Sequence, residues 1–211
     1  NTVIAKPAPQ TPLIAARAVA LAHEAGVPQD ALILLPGGPE AGAALVADPR
    51  VVGVAFTGST GTARRIARSL LDDESRPLVP LIAETGGINA MIVDSTALAE
   101  QVVQDVVTSA FRSAGQRCSA LRLLLLQEDI AESTLEMLAG AMDALIVGDP
   151  GDPATDVGPV IDQAAYTKLM DYRESRRPSW IKTVDAPSEG LFVPPTAIRI
   201  ADVEALDREW F

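Results

Sequence analysis

Apolar residues recur along this chain in two rhythms. Leu13, Ala16, Ala20 and Leu21 repeat at helical spacing, and Gly26, Val27 and Pro28 close the run, which predicts a helix over 13–25. Short apolar runs stand at 2–5, 31–35, 51–56 and 79–84, bordered by glycine and proline. Their length and borders predict strands. A short helix is expected from the turn of Gly37, Gly38 and Gly42 to about Ala47, and another over 62–71 after the turn "TGSTG". The resulting order, βαβαβαβ, predicts a parallel sheet with crossover helices. The first two strands are uninterrupted apolar runs, as expected of strands buried on both faces.

Past the turn at Thr85, Gly86 and Gly87 the alternation continues. A strand at 91–93 leads into a long helix over about 98–113, with apolar residues at 102, 103, 106, 107, 110, 111 and 114. A strand over 121–126, a helix over 132–145, the loop "VGDPGDPATDVGPV" and a shorter helix over about 163–174 follow, and the remainder reads as irregular. The turn at 85–87 is the expected boundary between two units, 1–85 and 86–211. "NTVIAKP" opens inside a strand and "DREWF" stops without a cap, so a fragment is expected.

Composition narrows the field. A net charge of −11 without a Lys/Arg-rich run argues against nucleic acid or an anionic membrane surface as partner. One cysteine forbids an internal disulfide and, with one histidine, makes a structural zinc site unexpected, so no metal is assigned. No apolar run approaches the ~20 residues that span a bilayer, and the N-terminus has no signal-peptide pattern. A cytoplasmic location is expected.

Candidate chemistry centres on Cys118, in "SAGQRCSALRLLLLQ". A lone cysteine is most often a small buried hydrophobe. This one stands at a helix–strand junction beside Gly115 and Arg117, a partly exposed, positive setting that suits a thiolate nucleophile. His23, near a helix end, reads as solvent-facing rather than as a partner base. Glu84 ends an apolar strand and precedes two glycines. It is either a strand-end surface carboxylate or a general base placed where parallel sheets bind ligands. "AFTGSTGTARRIARSL" is a strand–turn–helix unit in which Ser59 caps a helix, sits beneath a phosphate, or does both. Lys6 ends a strand and could hold a ribose or be an ordinary exposed lysine.

Five segments, in order, resemble the aldehyde dehydrogenase superfamily: "NTVIAKPAPQTP", "LPGGPEAGAAL", "VAFTGSTGTAR", "ETGGINA" and "GQRCSALR", with the terminal "EWF" similar to the start of a sixth, Glu-x-Phe-Gly-Pro. Thr85 and Ser119 make the chain most similar to glutamate-semialdehyde (pyrroline-5-carboxylate) dehydrogenases, above all to the dehydrogenase module of bifunctional bacterial proline-utilisation enzymes. The resemblance implies an α/β fold: part of a Rossmann-type parallel sheet that binds NAD, over 1–85, followed by part of an α/β catalytic domain, over 86–211.

It further implies NAD-dependent oxidation of glutamate γ-semialdehyde to glutamate in proline catabolism. Cys118 would be the nucleophile and Glu84 the base. Lys6, Gly38, Gly58, Ser59, Gly86, Glu209 and Phe211 would bind cofactor, and Ser119 the substrate carboxylate. Pro9 stands where relatives usually carry a ribose-binding glutamate, which leaves NADP open beside NAD. Ile88 replaces a polar residue expected after "TGG". FAD would enter only with a proline dehydrogenase domain ahead of this stretch. A homo-oligomer is expected of the intact enzyme, and inactivity of this stretch alone. The alternatives are another aldehyde substrate, a non-catalytic assembly domain, which need keep neither Cys118 nor Glu84, and a coenzyme-A-acylating relative, in which Glu84 would have no water to activate.

Overall fold

The computed structural model describes residues 1–206 and 208–210. Strand β1 (Val3–Ala5) pairs in parallel with β2 (Leu32–Leu34), and helix α1 (Pro12–Glu24) crosses between them. Proline suits the first turn of α1, where its missing N–H would have no partner in any case. The chain leaves α1 through Gly26, whose φ of 102° is open to glycine. His23 is not solvent-facing as expected. Its Nε2 lies 3.0 Å from the Leu32 carbonyl oxygen and fastens α1 to β2.

Helix α2 (Pro39–Ala47) leads to β3 (Val54–Gly58), which runs parallel to β4 (Leu81–Thr85) through α3 (Thr60–Leu71). The expected "TGSTG" turn is shorter than its letters suggest. Thr57 and Gly58 finish the strand, Ser59 caps, and the helix begins at Thr60.

The four strands do not form the one sheet expected. They make two separate parallel pairs, and no ladder joins β2 to β3 among the described residues. The two apolar runs read as buried on both faces also stand partly open, with Ile4 and Ile33 each at 45% exposure. Apolar composition states what a strand can bury. What covers it is a matter of neighbours, and here only Val46, Ala63 and Leu70 of the residues up to Thr85 are apolar and buried.

Contacts divide the chain into two compact units at Thr85 and Gly86. In the second, β5 (Asn89–Val93) pairs in parallel with β6 (Leu121–Leu126) through α4 (Ala99–Phe111). Helices α5 (Glu128–Asp143) and α6 (Gln163–Ser175) follow, then an antiparallel pair, β7 (Trp180–Thr183) and β8 (Thr196–Ile198), where irregular chain was expected. The core joins Val93, Val102, Val103, Val106, Leu121, Leu138, Met142 and Val184. Positions 102, 103 and 106 are the stripe read from the helical rhythm. Helix α5 starts four residues before its expected start, because Glu128 and Asp129 suit the positive end of a helix dipole without marking an apolar period.

No helix among the described residues is long and apolar enough to cross a membrane. Nor is any group of three or more His, Cys, Asp and Glu side chains there placed to hold a metal ion.

Candidate active site

Helix α4 stops at Phe111, two residues short of its expected end, because the chain then turns left-handed. Ser113, Ala114 and Gly115 take φ of 56°, 53° and 68°. That region costs a non-glycine residue roughly 1–2 kcal/mol, and such strain persists only where surroundings enforce it.

The surroundings here are polar side chains that grip the loop by its backbone. Arg122 Nη2 donates to the carbonyl oxygens of Gly115 at 2.6 Å and Arg117 at 3.2 Å. Asn89 Nδ2 donates to those of Cys118 at 2.7 Å and Ala120 at 3.0 Å. Gln116 Nε2 donates to the Ser113 carbonyl at 3.0 Å, and its Oε1 accepts from the Ile161 N–H at 2.8 Å. The Leu121 N–H donates to Ser109 Oγ at 3.1 Å. Between these anchors Cys118 and Ser119 stand exposed, while Gly115 and Ala120 are buried. Arg117 is exposed and enters the arrangement through its carbonyl.

Arg122 is the extra residue of a β-bulge. Asn89 pairs with Leu121 and Ala90 with Leu123, so Arg122 has no counterpart on β5. A bulge re-aims a side chain, and this one turns toward the loop. Arg122 also approaches Glu209, Nη2 to Oε1 4.0 Å, with the two side chains only 10% and 15% exposed. Burial pulls the guanidinium pKa below its ordinary value, and Glu209 works the other way. The Glu209 carboxylate packs directly on Gly86, where a Cβ would lie 1.4 Å from Oε2, so only glycine fits. Glu209 Oε1 is buried with no hydrogen-bond partner among the described residues. Trp210 stacks on Tyr172 with ring centroids 4.0 Å apart. Phe211 lies outside the described residues.

A groove of about 640 Å³ runs along β6 and the segment around β8. Gly115 and Arg122 line it, while Cys118 does not.

In the first unit, the register sets Thr57 opposite Glu84 and Gly58 opposite Thr85. The Gly58–Ser59 turn and the exposed Glu84 therefore share the C-terminal end of one parallel pair, the end at which such sheets bind ligands. Ser59 caps α3, its Oγ accepting from the Thr62 N–H at 3.2 Å and donating to Thr62 Oγ1 at 3.0 Å. A Cβ at Gly58 would meet the Phe56 ring at 2.6 Å. At the end of the other pair, Lys6 Nζ donates to the carbonyls of Pro7 at 2.6 Å and Gly37 at 3.1 Å. An ammonium has three N–H groups, and these bonds engage two of them among the described residues. The Gly38 N–H already donates to Glu40 Oε1 at 3.1 Å.

The expected residues thus fall into three groups. Lys6 adjoins the Gly37–Gly38 turn, Gly58 and Ser59 adjoin Glu84, and Gly86 adjoins Glu209. Through Arg122 the last group reaches the loop of Cys118 and Ser119. Glu84 belongs to the first unit and Cys118 to the second.

Asn89, Ser109, Gln116 and Arg122 were not singled out from the sequence. Arg122 left a signal, as the one charge in an otherwise all-leucine strand. The backbone contacts of Asn89 and Ser109 left none.

Comparison with known proteins identifies the family. The model of the aldehyde dehydrogenase family matches residues 1–211. The chain is 52% identical to the bifunctional protein PutA of Klebsiella aerogenes over 225 residues, covering 100% of this chain and 17% of that protein. It is 38% identical to the 1-pyrroline-5-carboxylate dehydrogenase of Geobacillus thermodenitrificans, covering 97% of this chain and 41% of the relative. The crystal structure of a mutant of Bradyrhizobium japonicum proline utilization A superposes with a TM-score of 0.95 at 54% identity, covering all of this chain and 22% of that one. The chain therefore spans about a fifth of the PutA relatives and two fifths of the dehydrogenase.

Proposed function

Because this chain belongs to the aldehyde dehydrogenase family, we propose that it carries the nucleophile and the base of an NAD-dependent dehydrogenase that oxidises glutamate γ-semialdehyde to glutamate. Residues 1–85 would be part of the cofactor-binding domain, and the residues from Gly86 on part of the catalytic domain.

The chain's own groups fit a dinucleotide. Lys6 would donate to an adenine-side ribose hydroxyl. The Ser59-capped start of α3 offers N–H groups to a pyrophosphate. The buried, unbonded Oε1 of Glu209 suits the hydroxyl of the nicotinamide ribose, and Gly86 leaves room for that carboxylate. When bound, NAD supplies a hydride acceptor. The preference for NAD over NADP is part of the proposal, since Pro9 stands where a carboxylate would oppose a 2′-phosphate.

Cys118 attacks the aldehyde carbon, and its own backbone N–H helps hold the resulting oxyanion of the hemithioacetal. Loss of hydride leaves a thioester on Sγ. Glu84 takes a proton from the water that attacks this thioester, which frees glutamate and returns the thiol. Ser119, exposed beside the nucleophile, would hydrogen-bond the substrate carboxylate.

What carries this reading is Cys118 itself, the chain's single thiol, held exposed on a strained loop whose carbonyls Asn89 and Arg122 bind. The test is Cys118→Ala in the enzyme at full natural length, with NADH formation followed spectrophotometrically and NAD binding followed by calorimetry. Aldehyde oxidation should vanish while NAD affinity stays within a few-fold of wild type. Turnover near the wild-type rate would remove Cys118 from the mechanism.

A further inference from the structure

Arg122 holds an unusual position. It is a charged residue nine-tenths buried within a strand of leucines, and the bulge that frees it from the ladder exists at that residue alone in the β5–β6 pair. Burying a guanidinium is costly unless its donors are used. Two of the acceptors it uses are the carbonyls of Gly115 and Arg117, the latter next to Cys118 in the chain. The same Nη2 lies 4.0 Å from the Glu209 carboxylate, an ion pair without a hydrogen bond, and Nη1 donates to the Leu121 carbonyl at 3.3 Å. The planar fork of an arginine can reach several acceptors in fixed geometry, which a lysine ammonium cannot reproduce.

We infer that Arg122 is a positioning residue that holds the nucleophile loop by its carbonyls and pairs electrostatically with Glu209, so that one guanidinium sets both the thiol and the carboxylate proposed to hold the cofactor ribose. The inference rests on Cys118 being the nucleophile. Arg122 touches no reacting atom. Its role is to keep a loop of left-handed residues from relaxing, and a displacement of about 1 Å at a reacting centre can cost on the order of 100-fold in rate.

Arg122→Lys in the full-length enzyme tests this, because it keeps the charge and removes the fork. Hydrogen exchange of the peptide spanning 112–120 should rise about tenfold, while a peptide from the buried part of α4 exchanges as in wild type. This readout needs neither cofactor nor aldehyde. In single turnover with NAD and glutamate semialdehyde, the burst rate constant should fall roughly 10- to 100-fold, with the burst amplitude per thiol retained. The KM for NAD should rise several-fold, and that for the aldehyde should stay within about twofold.

A merely structural arginine predicts the reverse, a lower amplitude at an unchanged rate constant and faster exchange in α4 and loop alike. Either that pattern or wild-type loop exchange would overturn the inference. If Arg122→Lys does not fold, Glu209→Gln removes the other end of the link and should speed loop exchange about threefold. Unchanged exchange there would equally overturn it. Failure of the proposed function itself shows separately, as activity surviving in Cys118→Ala.

Discussion

Gly115 concentrates the demands on the nucleophile loop. Ser113 and Ala114 already occupy the left-handed region, and Gly115 extends the run to a third residue at φ of 68°. A Cβ there would lie 2.8 Å from the Ala110 carbonyl oxygen, a backbone atom that cannot swing away. Gly115→Ala should therefore cost about 1–2 kcal/mol, measurable as a lower urea midpoint. It should also slow NADH formation at least tenfold by shifting Cys118. A variant with the stability and rate of wild type would show that the loop tolerates displacement. Gly115 was legible in the sequence only as a glycine close to Cys118, not as a left-handed residue against the Ala110 carbonyl. The clamp around it was not, because the side chains that hold the loop come from Asn89, Ser109 and Arg122, residues adjacent only once β5, α4 and β6 have assembled.

Elements with strong periodicity are legible in the sequence, and those that depend on partners are not. The stripe of Val102, Val103 and Val106 on α4 and the run 121–126 became core and strand as their rhythm implied. The β7–β8 pair escaped notice because its strands of four and three residues lie among prolines and carry no clear alternation. The separation of β1–β2 from β3–β4 was equally invisible, since hydrogen-bonded neighbours are not written in a strand's own composition.

Helix α5 supplies the anchor of the second unit. Met142 is fully buried, and Leu138 lies one turn before it in the same cluster. Met142→Ala should destabilise that unit by about 2–5 kcal/mol, through lost burial and the cavity left behind. Thermal unfolding followed by circular dichroism would register this as a lowered midpoint. An unchanged midpoint would mean that α5 contributes little through its packing against α4.

At the scale of the molecule, each unit presents a part of the proposed chemistry. The first offers Glu84 near the end of β4 and the Ser59-capped start of α3. The second offers Cys118 on its clamped loop, with Glu209 against Gly86. The family model spans both units without a break. The central claim is that Cys118 is acylated during turnover and that Glu84 serves only to release the acyl group. In the full-length enzyme, Glu84→Gln should stop the reaction at the thioester. Rapid quenching of that variant with NAD and glutamate semialdehyde, followed by peptide mass spectrometry, tests this directly. A burst of about one NADH per site, slow turnover thereafter, and a glutamyl adduct on the peptide that contains Cys118 are expected. A wild-type steady-state rate with no adduct at Cys118 would contradict it.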